Sequence, residues 1–482
     1  MSTPTGTENK TLNKRILKAF GLFGSVQGML ILFSLLRTKA VAVLLGSSGI
    51  GLFNLFLSAI ELVGTTTQLS LSESAVRNIS GAKSMEDKNR IITSVLRWSR
   101  VLGAVGAAVM LVSAPFFSYF TFGDYSWTVA YVVLSVVVFL NAVTKGFTAT
   151  LQGLEAFKNL ASAQVYGAAG GLIVSIPLFY FLKMQSIVPS FIAYALFATV
   201  AFWLIYKKCA RRNDIVTVKE PLKDSLKNGV PVIRLGAYMT VSTFASLAAS
   251  YIFMAWLNEN SSTSTVGFFN AGFTIVNRYV GVLLSAIAVE YYPRLARELS
   301  EGKPIGASVE AEINLGLPLL LPCVCLFMLL SPFIVNVLYT SEFNVIVSFV
   351  NWAMIGTMLR LLSYCYAYVI LAKGDGKIYV VTEVISAIVY VVSSILCYKA
   401  FGITGLGYSY IIWYALYAVS VIMGYRLRYH LPVNPRIWLN IALSLTVSVI
   451  AISAVNSGMY VVAIILTAVT GAVALRKGRT SF

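Results

Sequence analysis

Charged side chains inside long apolar runs are the residues of this sequence best suited to chemistry. Each of them costs roughly 2.5–3.5 kcal/mol at the centre of a bilayer unless it faces a cavity or a partner. Six are cations and two are isolated carboxylates, namely Arg37, Lys39, Lys145, Arg234, Arg278 and Arg360, with Glu61 and Glu383. Because cations predominate, the pattern predicts a chamber that binds an anion. Arginine suits phosphate oxygens in particular, which it can grip through two hydrogen bonds.

Two polar stripes accompany these charges. The first begins at Gly51-Leu52-Phe53-Asn54 and the second at Gly267-Phe268-Phe269-Asn270, and in both, polar side chains follow at steps of three or four within apolar sequence. On a helix such residues share one face. A polar face that occurs twice predicts a water-filled cavity between two related halves. The candidates on these stripes are Asn54, Glu61, Gln68, Asn270 and Arg278.

Arg360 is the strongest of the candidate cations. It lies about fifteen residues into its apolar run, near the midplane, where a side chain cannot easily reach the interface. Tyr364 follows one helical turn later and offers a surface on which a sugar ring could stack. Lys145 likewise shares a helix face with polar neighbours. These residues predict a site for an amphiphile whose polar head carries phosphate.

Four of the other charges have a second interpretation. Arg234 and Lys39 lie nearer the ends of their helices and could extend to the membrane interface. Arg278 and Glu61 occupy related positions in the two stripes. They could therefore form a buried ion pair that holds helices together rather than a binding site.

Composition places the chain in a membrane. Of its 482 residues, 58% are apolar and 12% charged, and the mean hydropathy is +0.79. A soluble protein would carry about twice that charged fraction. The five cysteines lack the spacing of a metal site or disulfide framework, and the single histidine, His430, falls between apolar runs. We therefore expect no metal, no cofactor and no enzymatic activity.

The placement of basic residues predicts the topology. At about twenty residues per crossing, the apolar runs predict an all-α membrane protein with about fourteen transmembrane helices. Lys and Arg concentrate in alternate loops, whereas the opposite loops keep only Lys183 and Lys399. This asymmetry predicts that both termini are cytoplasmic. It also explains most of the net charge of +18, so no nucleic-acid partner is expected.

An internal repeat predicts how the helices are grouped. Positions about 216–220 residues apart match, as in the pairs Asn54 with Asn270 and Tyr194 with Tyr410. Since six helices separate each pair, the halves have the same orientation in the membrane. The predicted divisions are a six-helix half at 1–206, a basic cytoplasmic linker at 207–229, a second six-helix half at 230–428, and two further helices with a short cytoplasmic tail at 429–482.

The sequence around Arg360 resembles a known family. The runs that carry the resemblance are Met358-Leu359-Arg360 with Tyr366, Val369-Ile370-Leu371-Ala372-Lys373 and Ile378-Tyr379-Val380-Val381-Thr382-Glu383-Val384. They resemble the Wzx-type O-antigen flippases, especially the lipid III flippase branch of the MATE/MOP superfamily. The resemblance implies a MATE-like plan of six, six and two helices. It also implies translocation of undecaprenyl-diphosphate-linked oligosaccharides across a bacterial inner membrane by alternating access.

The same resemblance implies which partners and residues take part. The expected partners are the polyprenyl-diphosphate-linked oligosaccharide and the lipid bilayer, with other polysaccharide-assembly proteins as candidates. The cationic lining carried over from it is Arg360 and, after it, Arg37, Lys145 and Arg278. Coupling to an H⁺ or Na⁺ gradient through Glu61 or Glu383 is a hypothesis that rests on their isolation among cations.

Three other functions stay open on the sequence alone. A MATE-type multidrug or cation antiporter needs intramembrane carboxylates for cations, and here the first helix has none. A membrane-embedded polysaccharide polymerase or ligase would show a long outer loop with catalytic residues, whereas the outer loops here are short. A lipid II flippase differs in its substrate alone, which the sequence does not reveal.

Overall fold

All regular secondary structure in the described residues is helical. This computed structural model describes the backbone of residues 6–481 except 69–70, 83, 217, 219–220, 280 and 432–433. Among the residues with a described backbone, the side chains are described except those of 6–25, 73, 222–239, 278–279, 282–283, 285–290 and 477–481. The α-helices are α1 (Gly6–Gln68), α2 (Leu71–Ser80), α3 (Met85–Phe122), α4 (Thr128–Gly153), α5 (Phe157–Leu182), α6 (Ile187–Arg212), α7 (Leu222–Asn260), α8 (Thr263–Thr274), α9 (Gly281–Ser300), α10 (Gly306–Leu338), α11 (Val347–Ala372), α12 (Gly376–Met423), α13 (Pro435–Asn456) and α14 (Tyr460–Ser481). Short 3₁₀ turns occur at Lys183–Ser186 and Ser341–Ile346, and π-helical turns at Ile275–Tyr279 and Gly424–Arg428.

Nine stretches of the described chain are apolar and long enough to cross a membrane. Three of them, Val26–Gln68, Phe157–Arg212 and Gly376–Arg428, are 43, 56 and 53 residues long. That is at least twice the length of about twenty residues that one crossing needs. The chain is therefore a multi-pass membrane protein, and the class that its composition predicted is confirmed. The count of about fourteen crossings stays a prediction.

Two glycines divide the longest helices. Gly46 in α1 has φ 70° and ψ −164°, and Gly402 in α12 has φ 59° and ψ −143°. Residues with a Cβ are strongly disfavoured in this region, so glycine is the residue that occupies it at low cost. Helix α1 thus consists of two arms. Arg37 lies on the first arm and Asn54 on the second.

The two arms of α12 form a hairpin that bends at Gly402. Side-chain hydrogen bonds join the arms in antiparallel order, and we call them the α12 rungs. From the bend outward they are Ser394 with Ser409 at 3.4 Å, Ser386 with Trp413 at 2.8 Å, and Glu383 with Tyr417 at 2.5 Å. The pair farthest from the bend therefore contains Glu383, one of the two predicted coupling carboxylates.

The chain divides into two compact units, Met1–Phe244 and Ala245–Phe482. In the first unit, α3 packs on α4, α5 on α6, and α4 also contacts α6. In the second, α11 packs against both α10 and α12. The most apolar window of the segment that contains α11 is 78% buried, against 28–50% for the other spans. Arg360 therefore lies on the most enclosed span of the described chain. The divisions predicted at 206, 229 and 428 stay predictions.

The connecting segment, residues 213–221 between α6 and α7, is held against α3. Arg97 donates to the carbonyl oxygens of Val218 and Pro221 over 3.4 and 3.3 Å. The backbone amide of Val218 in turn donates to Thr93 Oγ1 over 3.0 Å. Val218 and Pro221, which lie between the two helices, thus gain hydrogen-bond partners from α3.

Candidate functional site

A guanidinium enclosed by aromatic rings lies in the first unit. The Cζ atom of Arg37 is 4.6 Å from the ring centre of Phe53 and 4.5 Å from that of Tyr194. A third ring, Phe191, lies 5.5 Å from Cζ and stacks on Phe53 at 4.5 Å. Because α1 bends at Gly46, both of its arms contribute, while α6 supplies the other two rings. We call Arg37, Phe53, Phe191 and Tyr194 the Arg37 site.

Two nitrogens of Arg37 lack a hydrogen-bond partner. Nε and Nη2 are both shielded, and neither donates to an acceptor in the described part of the chain. The cation–π contacts stabilise the charge by about 0.5–2 kcal/mol, but they leave these N–H groups unsatisfied. An unpaired buried donor costs roughly 1–3 kcal/mol. The site therefore lacks an acceptor, and an oxyanion that binds a guanidinium in bidentate fashion would supply one.

A second guanidinium, Arg360 of α11, is held by hydrogen bonds in the second unit. Its Nε donates to the Tyr364 hydroxyl over 3.1 Å. Its Nη1 donates to Asn277 Oδ1 over 3.0 Å and to the Tyr410 hydroxyl over 3.3 Å, and that hydroxyl also donates to Asn277 Oδ1 over 3.1 Å. Only 9% of Arg360 is exposed. These four residues, the Arg360 site, therefore already satisfy much of the hydrogen-bonding capacity of this cation.

One tyrosine of each site belongs to the predicted repeat. Tyr194 of the Arg37 site and Tyr410 of the Arg360 site are matched positions in the sequence. The first presents its ring to a guanidinium, and the second presents its hydroxyl. The arginines themselves come from helices that the repeat does not pair. Each unit therefore places a different cation beside the same tyrosine position.

The other predicted charges lie in less enclosed surroundings. Glu383 is half-buried and accepts the bond from Tyr417 described above. Glu61 on α1 and Lys145 on α4 are exposed, and Lys39 is half-buried.

The amides of the polar stripes bond mainly to their own helices. Asn54 Nδ2 donates to the Ile50 carbonyl over 2.8 Å, and Asn270 Nδ2 donates to the Val266 carbonyl over 3.0 Å. Gln68 is only 7% exposed, and its Oε1 accepts no hydrogen bond from the residues described. Of the three predicted amides, Gln68 is therefore the one with a shielded oxygen that receives no hydrogen bond within the described residues.

The predicted residues and the members of the two arginine sites overlap only in part. The side chains of Arg234 and Arg278 lie outside the described residues. Sequence reasoning brought Arg360 and Tyr364 together because they are one turn apart. It did not select the remaining members of the two sites, although the repeat contained a signal for both tyrosines. These members are Phe53, Phe191, Tyr194 and Tyr410, whereas Asn277 lies on the second polar stripe, which the sequence did predict.

Comparison with known protein sequences identifies a family. Residues 40–348 match the family described as polysaccharide biosynthesis protein. The lipid III flippases of Escherichia coli (strain K12) and Shigella flexneri are each 25% identical to the chain over 198 residues, which are 41% of this chain and 47% of each relative. The chain thus spans about half the length of these curated relatives.

Comparison with solved structures identifies the fold. An inward-facing multidrug transporter of the MATE family, in the MOP superfamily, matches with a TM-score of 0.69 and 17% identity, covering 83% of this chain and 94% of that one. The lipid II flippase MurJ, in an inward closed conformation, matches with a TM-score of 0.66 and 12% identity, covering 96% and 99%. At these identities the likeness shows the fold alone. The predicted MATE-like architecture is confirmed.

Proposed function

The chain belongs to the polysaccharide biosynthesis protein family, and on that premise we propose that it is a flippase for polyprenyl-diphosphate-linked oligosaccharides. Its substrates would be repeat units of the O-antigen type. It would lie in the bacterial inner membrane, with both termini on the cytoplasmic side. The name of the lipid III flippase, which is 25% identical to this chain over 198 residues, supports the reaction class. Other polysaccharide-assembly proteins are candidate partners in the membrane.

The Arg37 site carries the proposal. Its guanidinium has two shielded nitrogens whose N–H groups have no acceptor among the described residues. A diphosphate offers acceptor oxygens in the geometry that a guanidinium prefers. The rings of Phe53 and Tyr194 exclude water from the charge, and in such surroundings a hydrogen bond to an anion is stronger than in water. Binding a diphosphate would therefore supply acceptors for the shielded nitrogens of Arg37.

The remaining candidates take supporting roles in this proposal. Arg360 holds Asn277, Tyr364 and Tyr410 in fixed orientations, which gives the glycan a preorganised polar surface in the second unit. Amide and hydroxyl groups on such a surface suit sugar hydroxyls as both donors and acceptors. The further residues proposed to contact the substrate are Lys39, Lys145, Arg234, Arg278, Asn54, Gln68 and Asn270.

Coupling to an ion gradient is proposed to act through Glu383 or Glu61. Glu383 is the stronger candidate because its carboxylate accepts a 2.5 Å hydrogen bond that joins the arms of α12. A change in the charge of Glu383 would therefore change a contact between two helical arms. The coupling ion would be H⁺ or Na⁺.

Proteoliposomes that contain a fluorescent polyprenyl-diphosphate oligosaccharide test the proposal. We expect Arg37→Gln to lower the initial rate of translocation at least about tenfold, because losing one charge-assisted interaction with the diphosphate costs roughly 1.5–3 kcal/mol. Arg37→Lys keeps the charge but loses the bidentate geometry. Its translocation rate should therefore lie between those of the unaltered protein and of Arg37→Gln.

Arg100→Gln is the matched control, since Arg100 is an exposed cation in the same unit. It should translocate at the unaltered rate. Full activity of Arg37→Gln in well-incorporated protein would reject the role of the Arg37 site. Transport of organic cations, with no movement of the lipid-linked sugar, would instead support the MATE-type antiporter. A preference for lipid II over lipid-linked repeat units would reassign the substrate.

A further inference from the structure

A cavity in the second unit lies apart from the two arginine sites. Its volume is about 380 Å³, which corresponds to roughly a dozen water molecules in the liquid. The beginnings of α10 and α13 enclose it together with the later part of α11 and the π-helical turn at Gly424–Arg428. The polar and small residues in its wall are Gly306, Glu310, Tyr366, Tyr425 and Asn434. We call it the α10–α13 cavity.

Two tyrosines in the wall of this cavity are buried and have unpaired hydroxyl groups. Tyr366 and Tyr425 are each 1% exposed. Their rings meet edge to face with centroids 4.8 Å apart. Neither hydroxyl forms a hydrogen bond with any residue in the described ranges. A phenol at this depth normally has a partner, so the two hydroxyls are available to a polar group that enters the cavity.

A carboxylate is fixed in the same wall. Oε1 of Glu310 accepts a hydrogen bond from Asn434 Nδ2 over 2.6 Å. Asn434 is itself oriented, because its Oδ1 accepts from the backbone amide of Arg436 over 3.0 Å. Glu310 is the one acidic residue among the described lining residues. A carboxylate beside two phenol rings favours a cation that can donate hydrogen bonds, such as a primary ammonium.

A helix N-terminus at the same cavity favours the opposite charge. Helix α10 begins at Gly306, and the preceding Ile305 provides no side-chain acceptor for the amides of the first turn. The Tyr425 hydroxyl lies near this terminus, 3.8 Å from the point that a Cβ on Gly306 would occupy. Free amides at the start of a long helix attract phosphate. The cavity therefore offers places for both a phosphate and an ammonium group.

We propose that the α10–α13 cavity binds the headgroup of a zwitterionic aminophospholipid, of which phosphatidylethanolamine is the simplest. The ammonium group is held by Glu310 and the two tyrosines, and the phosphate lies at the start of α10. The cavity lies at helix ends beside the exposed residues Lys303 and Arg426, as expected for a site at headgroup level. A phospholipid with a net negative charge would meet the Glu310 carboxylate unfavourably.

Native mass spectrometry of the full chain tests this site. The protein would be released from nanodiscs that contain equal amounts of phosphatidylethanolamine, phosphatidylcholine and phosphatidylglycerol. We expect phosphatidylethanolamine to be retained in preference to both others. Among the three headgroups, it alone carries an ammonium group with N–H donors. Glu310→Gln, and separately the double variant Tyr366→Phe with Tyr425→Phe, should reduce this retention about tenfold.

The matched control is Glu301→Gln. Glu301 is an exposed carboxylate that precedes α10 and pairs with Lys303 at 2.6 Å, so its loss changes the net charge equally and should leave lipid retention unaltered. The tyrosine variants keep both rings and lose no hydrogen bond to a described residue, so folding should be preserved and a thermal unfolding scan would verify it. Equal retention of the three lipids, or undiminished retention in both cavity variants, would overturn the proposal.

Discussion

Arg37 and Arg360 show how differently two buried cations of one type can be accommodated. The sequence placed Arg360 first because of its depth, and it found Tyr364 because the two are one turn apart. It could not show the enclosure of Arg37, since that depends on Phe191 and Tyr194, which lie far along the chain. Local spacing predicts contacts within a helix, whereas contacts between helices need the packing.

Substitution of each arginine should therefore affect stability in opposite ways. Arg360→Gln leaves Asn277, Tyr364 and Tyr410 without their common donor, and we expect the free energy of unfolding to fall by about 2–3 kcal/mol. Arg37→Gln removes a shielded charge whose N–H groups are unpaired in the described chain, so stability should stay equal or rise. Thermal unfolding in detergent without substrate measures both. A large loss for Arg37→Gln would show that Arg37 has a structural partner.

Among the helices, bends and side-chain bridges determine which residues meet. The apolar runs predicted that helices are present, but they did not predict the bends inside α1 and α12. The sequence did not predict a bend at Gly46, and only the positive φ of this residue shows how Phe53 is brought to Arg37. The hydrogen bonds of the connecting segment likewise depend on tertiary contact, because Arg97 and Val218 are distant in sequence.

Alanine at the bending glycines should be costly. Gly46→Ala and Gly402→Ala place a Cβ in a backbone region that glycine alone occupies readily, and we expect each to destabilise the protein by about 1–3 kcal/mol. Gly28→Ala is the control, because Gly28 lies on a regular part of α1 with nothing within 4 Å of the added Cβ. Helix propensity predicts that this control is neutral or stabilising. Equal melting temperatures for all three variants would contradict the assigned bends.

The connecting segment allows a local test by hydrogen exchange. Thr93→Val keeps the shape of the side chain but removes the oxygen that accepts from the Val218 amide. We expect that amide to exchange roughly fivefold faster, since one hydrogen bond contributes about 1 kcal/mol. Thr446→Val, at an exposed threonine of α13, should leave the Val218 amide unchanged. Unaltered exchange in Thr93→Val would mean that other contacts protect the segment.

For the whole molecule, composition and charge distribution were the most informative features. The hydropathy alone indicated a membrane protein, since an apolar surface of this extent cannot stay exposed to water. The MATE-like fold followed from the resemblance at the tenth and eleventh predicted spans, and structural comparison confirmed it. The predicted orientation of the chain in the membrane rests only on the distribution of Lys and Arg among the loops, and it stays a prediction.

Labelling of intact cells tests that orientation. Tyr125→Cys lies in an exposed turn between α3 and α4, and Lys303→Cys lies in an exposed turn before α10. With a membrane-impermeant maleimide, we expect the first to react in intact cells and the second only after the cells are opened. The unsubstituted protein controls for its own cysteines, of which Cys323 is exposed. The reverse pattern would invert the proposed topology.

The order of the α12 rungs has a consequence for how a proton could act on this protein. Glu383 and Tyr417 form the outermost rung, while Ser394 and Ser409 lie close to the bend. Protonating Glu383 weakens only a charge-assisted bond at the open end. The hairpin would then open from its tips, while the contact between Ser394 and Ser409 would keep the bend closed.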